Sequence, residues 1–230
     1  KSPLTLIASR RQIDSEEFGG GYLQNWTTQN FANYVASKDI NRNIILARDH
    51  GGPWQNEFEK NKNMDLKQAM HSAKESFRVD IDSGFQIIHI DPSIDIHGQI
   101  NVEQVLERIY ELYDFCWSYA QQKKRDIIFE IGTEEQSGNG NNIDELVYVL
   151  ESMKKFCIKN KFPFPSFIVI QAGTKVMETR NIGSFDSPIR YVNELPPEIQ
   201  IPRIIDICNK YGIFMKSHNT DYLSADSLIW

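Results

Sequence analysis

The sequence predicts an α/β fold, a TIM-type (β/α)8 barrel, incomplete in this chain with about six of its eight strand–helix units visible. Three observations predict it. Six short apolar, β-branched runs recur along the 230 residues: LTLIA (4–8), IILA (44–47), QIIHI (86–90), DIIFEI (126–131), FIVIQ (167–171) and GIFMK (212–216). Stretches of helical periodicity lie between them, at 28–37, 65–79, 101–122, 143–160 and 197–211, so each of the first five strands is followed by a helix. Polar and ionisable residues end most of the runs: Arg10, Asp49 and His50, His89 and Asp91, Glu130 and Glu134, Gln171, His218.

Near-continuous apolar strands alternating with helices imply parallel strands covered on their faces, in a doubly wound sheet or a barrel. No GxGxxG or GxxxxGKS fingerprint follows any strand, which removes the main sequence support for a nucleotide fold. A barrel gathers polar strand ends into one mouth, whereas an open sheet spreads them along a line. The strands recur about every 40 residues, so eight units need on the order of 320. Residues 1–230 are therefore expected to form a single barrel domain that lacks its first and last βα units, in a longer protein or beside a partner that fills the gap. SGNGNN (137–142) reads as a loop and FPFP (162–165) as a stiff lead into the fifth strand, and neither marks a domain boundary.

A hydrophobic content of 40% and a formal net charge of −6, with lysines and arginines scattered, suit a globular domain and give no footprint for nucleic acid. The apolar runs are strand-sized and the N-terminus carries no charged-then-apolar pattern, so neither a membrane span nor an export signal is expected. Cys116, Cys157 and Cys208 lie far apart on amphipathic segments, in no zinc-cluster spacing. Buried free thiols in a reducing cytoplasm are the expectation.

The strand ends carry the chemistry. In IILARDHGGPWQ, Asp49 and His50 stand where the backbone leaves a buried strand, His50 as a metal ligand and Asp49 as its orienter or as an acid or base. The structural alternative is a loop-capping Asp49 and a hydrogen-bonded His50. In IIHIDPSID, His89 and Asp91 share strand parity and point to one side, either to the mouth or into packing; Asp95 and His97 lie further along, where solvation is expected. Glu130 sits inside an apolar run, and a buried carboxylate there demands a cation, a metal or strong donors. Glu134 could reach the same mouth, and Glu135 points to solvent. In FMKSHNTDYL, Lys216 and His218 share parity, while Ser217, Asn219 and Thr220 supply groups that hold phosphate or sugar oxygens. Lys216, Arg48 and Lys175 are the cations for an anionic ligand, or neutralise internal carboxylates. His71 reads as a surface residue, and Tyr110, Tyr113, Phe115 and Trp117 as helix residues packed on the sheet.

FGGGY (18–22), ILARDHGGPWQ (46–55), IHIDPSID (88–95), EIGTEEQSG (130–138), IVIQAG (168–173) and SHNTDYL (217–223) occur in an order and spacing that resembles the Z subunit of D-tagatose-1,6-bisphosphate aldolase, in the class II aldolase superfamily. The resemblance spans nearly the whole chain in short motifs. It implies a class II aldolase barrel in which a zinc ion polarises a ketose carbonyl and an aspartate beside the first metal histidine moves the proton. Carried over, it places Asp49 as the acid/base, His50 as the first metal ligand, His218 as the histidine after the seventh barrel strand, and Glu130 or Glu134 near the family's acidic residue. Joined with the strand-end reading, this gives His50, Glu130 and His218 as the expected metal set, Asp49, Asp91 and Glu134 as the catalytic groups, and Arg48, Gln171, Lys216, Ser217, Asn219 and Thr220 as substrate contacts. Two departures matter: Gln171 stands where catalytic class II aldolases carry a further metal histidine, and the Z subunit is regarded as a non-catalytic partner. Pro53, one residue early in its motif, Pro92 and Ala172 are smaller differences. Two functions follow. One is metal-assisted aldol cleavage or condensation of a ketose bisphosphate. The other is an accessory role in which this chain, as a subunit or a homo-oligomer, binds and stabilises a catalytic aldolase subunit.

Overall fold

In a computed structural model of the chain, residues 3–132, 143–170, 174–177, 180–183 and 197–217 are described. The chain divides into two compact units, Lys1–Gly132 and Thr133–Trp230. In the first, strands β1 (Leu4–Ser9), β2 (Ile44–Gly51), β3 (Ile87–Ile90) and β4 (Ile128–Gly132) pair in parallel in that order, with Ser9 opposite Asp49 and His89 opposite Glu130. Helices α1 (Thr28–Lys38), α3 (Leu66–Asp82) and α4 (Val102–Lys123) fall in the gaps the periodicity assigns them, and a short α2 (Glu57–Asn61) precedes α3.

The helix starts are written locally. Asp65 accepts the Gln68 N–H at 2.8 Å while the Gln68 side chain accepts the Asp65 N–H at 3.1 Å, and Asn101 and Gln104 repeat this reciprocal cap at the head of α4. Ile88 and Ile90 of β3, Phe77 of α3 and Ile109, Leu112 and Tyr113 of α4 are almost wholly buried, and Tyr113 stacks on Phe129 of β4 with ring centres 3.7 Å apart. Cys116, Cys157 and Cys208 are buried, and burial pushes the Cys208 thiol up to about 11.

In the second unit, α5 (Ile143–Asn160) leads to β5 (Phe167–Ile170), and α6 (Pro197–Tyr211) leads to β8 (Phe214–Ser217), which pairs in parallel with β5. Between them β6 (Thr174–Met177) and β7 (Arg180–Gly183) form an antiparallel pair. The sequence reading missed this pair because TKVM and RNIG hold too few consecutive apolar residues to register as buried strands. Among the described residues, four parallel strands of the first unit and two of the second thus alternate with helices. This is an α/β fold of the TIM type, incomplete in its number of units. No helix among the described residues is long and apolar enough to cross a membrane.

Alternation along β2 decides which charges serve the fold. Arg48 turns toward the helices, where its Nε and Nη2 meet the Asp80 carboxylate of α3 at 2.8 and 2.5 Å, Nη1 donates to the Ala8 and Ile13 carbonyls and Nη2 to Thr28 Oγ1. All five guanidinium donors are engaged, and both partners are fully buried. The expectation that Arg48 touches substrate is therefore corrected: no donor remains for a ligand. Burial raises the Asp80 carboxyl above its ordinary value, and Arg48 opposes that rise.

Arg10 is likewise structural. It pairs with Asp14 at 2.9 Å and Glu59 at 2.7 Å, and donates to the Gly52 carbonyl at 2.6 Å. Burial would lower its pKa, but the two carboxylates outweigh burial and raise it. Arg48→Met strands a buried carboxylate, so it should cost about 3–5 kcal/mol by urea unfolding, against about 1 kcal/mol or less for Arg78→Met at a half-exposed surface pair.

Candidate functional site

The Asp-His-Gly-Gly turn departs from ideal strand geometry. Were β2 regular, His50 would follow Arg48 to the helix side, because side chains alternate. His50 instead has φ +44°, a left-handed conformation rare for a residue with a Cβ, and the β2–β3 register shifts between Arg48 and Gly51. Asp49 and His50 consequently both meet groups from β3. The two glycines make room for this. A methyl group on Gly51 would stand 2.4 Å from the Phe77 ring and 2.5 Å from the His89 carbonyl oxygen, and one on Gly52 would stand 2.2 Å from the Asp91 carbonyl oxygen.

Three strand ends converge as a result. His89 Nδ1 lies 3.3 Å from Asp49 Oδ1 and 3.4 Å from Glu130 Oε1, and the ligand-capable atoms of the three residues all lie within 4.8 Å of one another. The same Nδ1 accepts the His50 backbone N–H at 3.2 Å. One imidazole nitrogen and two carboxylate oxygens this close together form a donor set that a divalent cation fits. His89 and Glu130 are buried, while Asp49 and His50 each keep one fifth of their side-chain surface exposed. Those two are the reachable members of the cluster.

His50 leans the other way. Its Nδ1 lies 2.7 Å from Asp91 Oδ2, and its Nε2 lies 3.7 Å from Asp49 Oδ2. Asp91 is fully buried. Burial alone would raise its carboxyl, but the hydrogen bond from His50, the charges of His50 and His89 and the Ser93 hydroxyl together hold it below the usual carboxylate value.

Set against the sequence, the structure brings Asp49, His50, His89, Asp91 and Glu130 together. It adds His89 to the ligand-capable set and places Asp49 there as well as beside His50; the even spacing of His89 and Asp91 was the signal available for the former. Asp91 stands behind His50 rather than at a surface a substrate reaches, which corrects its expected place among the catalytic groups. Asp95, expected in solvent, pairs with Arg108 at 2.5 Å, and His97 bonds the Met64 carbonyl and stands edge-on to Trp54. His71 is exposed on α3, as read. Lys216 lies half-buried on β8 of the second unit, and Ser217 ends that strand. Glu134, Glu135, Gln171, His218, Asn219 and Thr220 lie outside the described residues, as do the side chain of Lys175 and the SGNGNN loop.

Parallel strands with a carboxylate–imidazole cluster at their C-terminal ends define a TIM-type protein with a cation-capable site. The profile of the family described as D-tagatose-1,6-bisphosphate aldolase subunit GatZ/KbaZ-like matches residues 2–157. The chain belongs to that family, which makes it an aldolase-related protein of sugar metabolism. Among solved structures, a probable tagatose 6 phosphate kinase from Sinorhizobium meliloti 1021 superposes with a TM-score of 0.73 at 18% identity over 99% of this chain. This chain covers 55% of that one, and the likeness shows the fold alone. The IOLI protein with a bound zinc atom aligns at 11% identity over 94% of this chain and 88% of its own, with a TM-score of 0.42.

The close approach at Gly52 gives a direct check. Gly52→Ala should destabilise the protein by about 1–3 kcal/mol in a denaturant melt, because an added methyl cannot displace the Asp91 backbone without strain. Gly98→Ala, where nothing lies within 4 Å of the new methyl, should change stability by less than about 0.5 kcal/mol.

Proposed function

We propose that the chain is a sugar-phosphate aldolase-type protein of the cytoplasm, acting by metal-assisted aldol cleavage or condensation of a ketose bisphosphate. The observation that supports this most is the Asp49–His89–Glu130 cluster at the ends of β2, β3 and β4, in a chain whose family is described by its relation to tagatose-bisphosphate aldolase. Asp49, His89 and Glu130 would hold a zinc or similar divalent ion, with His50 beside them and His218 joining on sequence grounds alone. Such an ion supplies Lewis-acid stabilisation of negative charge on a ketose oxygen.

Asp49 and His50, the exposed members, are placed to hold or move a proton at their Oδ2 and Nε2 atoms. Buried Glu130 and His89 cannot exchange protons with solvent as readily, so holding the ion suits them better than shuttling. Glu134 as a further catalytic group, and Gln171, Lys216, Ser217, Asn219 and Thr220 as contacts to a phosphorylated sugar, belong to the same proposal on sequence grounds.

A second reading, an accessory subunit that binds and steadies a catalytic aldolase subunit, is favoured by the word subunit in the family's description and by Gln171 at the position of a metal histidine. One experiment separates the two. On the first reading the purified full-length protein supplied with zinc carries close to one ion per chain by elemental analysis. His89→Ala loses that ion, His71→Ala retains it, and tagatose or fructose bisphosphate is cleaved faster than in buffer. No bound ion and no cleavage would reject the first reading in favour of the accessory one.

A further inference from the structure

Asp91 is saturated from behind the site. Its Oδ2 accepts from Gln55 Nε2 at 3.0 Å and lies 2.7 Å from His50 Nδ1, while its Oδ1 accepts the Ser93 N–H at 3.2 Å and the Ser93 hydroxyl at 2.5 Å. Four such contacts fill both oxygens of an ionised carboxylate, whereas a protonated one would need to donate and finds donors instead. The 2.7 Å contact therefore requires a proton on His50 Nδ1, and in the neutral ring the lone pair then belongs to Nε2.

Gln55 is itself fully buried, and its amide is held between unlike charges. The Nε2 group also reaches the Asp91 carbonyl at 3.3 Å, and Oε1 accepts from the Arg11 guanidinium at 3.3 Å. The cation fixes the amide oxygen on one side and the anion fixes the NH2 on the other, so the amide has one favoured orientation. Its backbone belongs to the turn that Arg10 holds through the Gly52 carbonyl and that Asp14 holds through Asn56 at 2.7 Å. Neither Gln55 nor Asp91 is among the reachable groups of the cluster, and both act on it through His50.

We propose that Gln55 and Asp91 form a positioning pair, which locks His50 as the Nδ1–H tautomer and turns its Nε2 lone pair toward Asp49 at the strand-end cluster. The assignment rests on reading that cluster as the site but on no particular reaction, sugar or metal. A carboxylate–histidine pairing of this kind sets which ring nitrogen is available and how strongly it binds or accepts a proton.

Long-range proton–nitrogen NMR on the full chain, in metal-free buffer at a pH where the ring is neutral, reads the tautomer directly. The wild type should show His50 with a protonated Nδ1 and a lone-pair Nε2. A free histidine side chain prefers its proton on Nε2, so Asp91→Asn and Gln55→Met should both raise the share of the Nε2–H form, with His71 and His97 signals unmoved as the mark of an intact fold. A wild-type His50 in the Nε2–H form overturns the proposal whether or not either variant folds. Unchanged tautomer ratios in a folded Gln55→Met overturn the part played by Gln55. Absence of zinc binding with the tautomer as expected would count against the metal reading above and leave the positioning pair standing.

Discussion

The site depends on one backbone decision, the left-handed turn at His50. Regular alternation along β2 would send Arg48 and His50 to the helix side and leave Asp49 alone on the inner face. With φ at +44° and a register shift beside it, two consecutive ionisable side chains reach groups of β3 together. A non-glycine residue in this region is strained by roughly 1–3 kcal/mol and persists only where its surroundings over-determine it. Here they do: the His50 N–H bonds His89 Nδ1, the Gly51 carbonyl accepts the Asp91 N–H at 2.7 Å, the Gly52 carbonyl accepts from Arg10, and Gly51 and Gly52 admit backbone and ring atoms where any side chain would collide. The two glycines of the motif thus serve close approach rather than flexibility.

Much of this fold was legible because its signals are local and redundant. Each run was apolar over enough consecutive positions to be a strand, and in the folded chain the Asp65–Gln68 and Asn101–Gln104 pairs fix helix starts within a single turn. The site was legible in its residues and less so in their roles. Strand parity correctly put His89 and Asp91 on one side, but parity cannot say which of two inward groups lies at the mouth and which lies behind a neighbour. Asp91 is behind because Gln55, 36 positions earlier, and Ser93 close around it. Arg48 shows the same limit from the other direction. It was read as a cation for an anionic ligand or for an internal carboxylate, and the carboxylate it meets, Asp80, lies 32 positions away on α3. Asp95 was read as solvated because it lies further along the loop, and only the folded chain brings Arg108 to it.

The first unit therefore keeps two sets of charges apart by the pleat of its strands. On the helix side, Arg10 and Arg48 meet Asp14, Glu59 and Asp80 in contacts that tie β1, β2, α2 and α3 together. These pairs are fully buried, so breaking one is costly, while their net stabilisation is small because desolvation offsets attraction. Their yield is fixed geometry: the Arg10 bond to Gly52 and the Asp14 bond to Asn56 seat the turn from which Asp49, His50 and Gln55 project.

On the inner face the balance is different. Three carboxylates, Asp49, Asp91 and Glu130, stand among two imidazoles, whose charge depends on their protonation. Asp91 is satisfied by neutral donors and by His50. The remaining two carboxylates, Asp49 and Glu130, converge on His89 Nδ1 at the point where three strands end. The cluster's position at the C-terminal ends of parallel strands is where TIM-type folds place their chemistry.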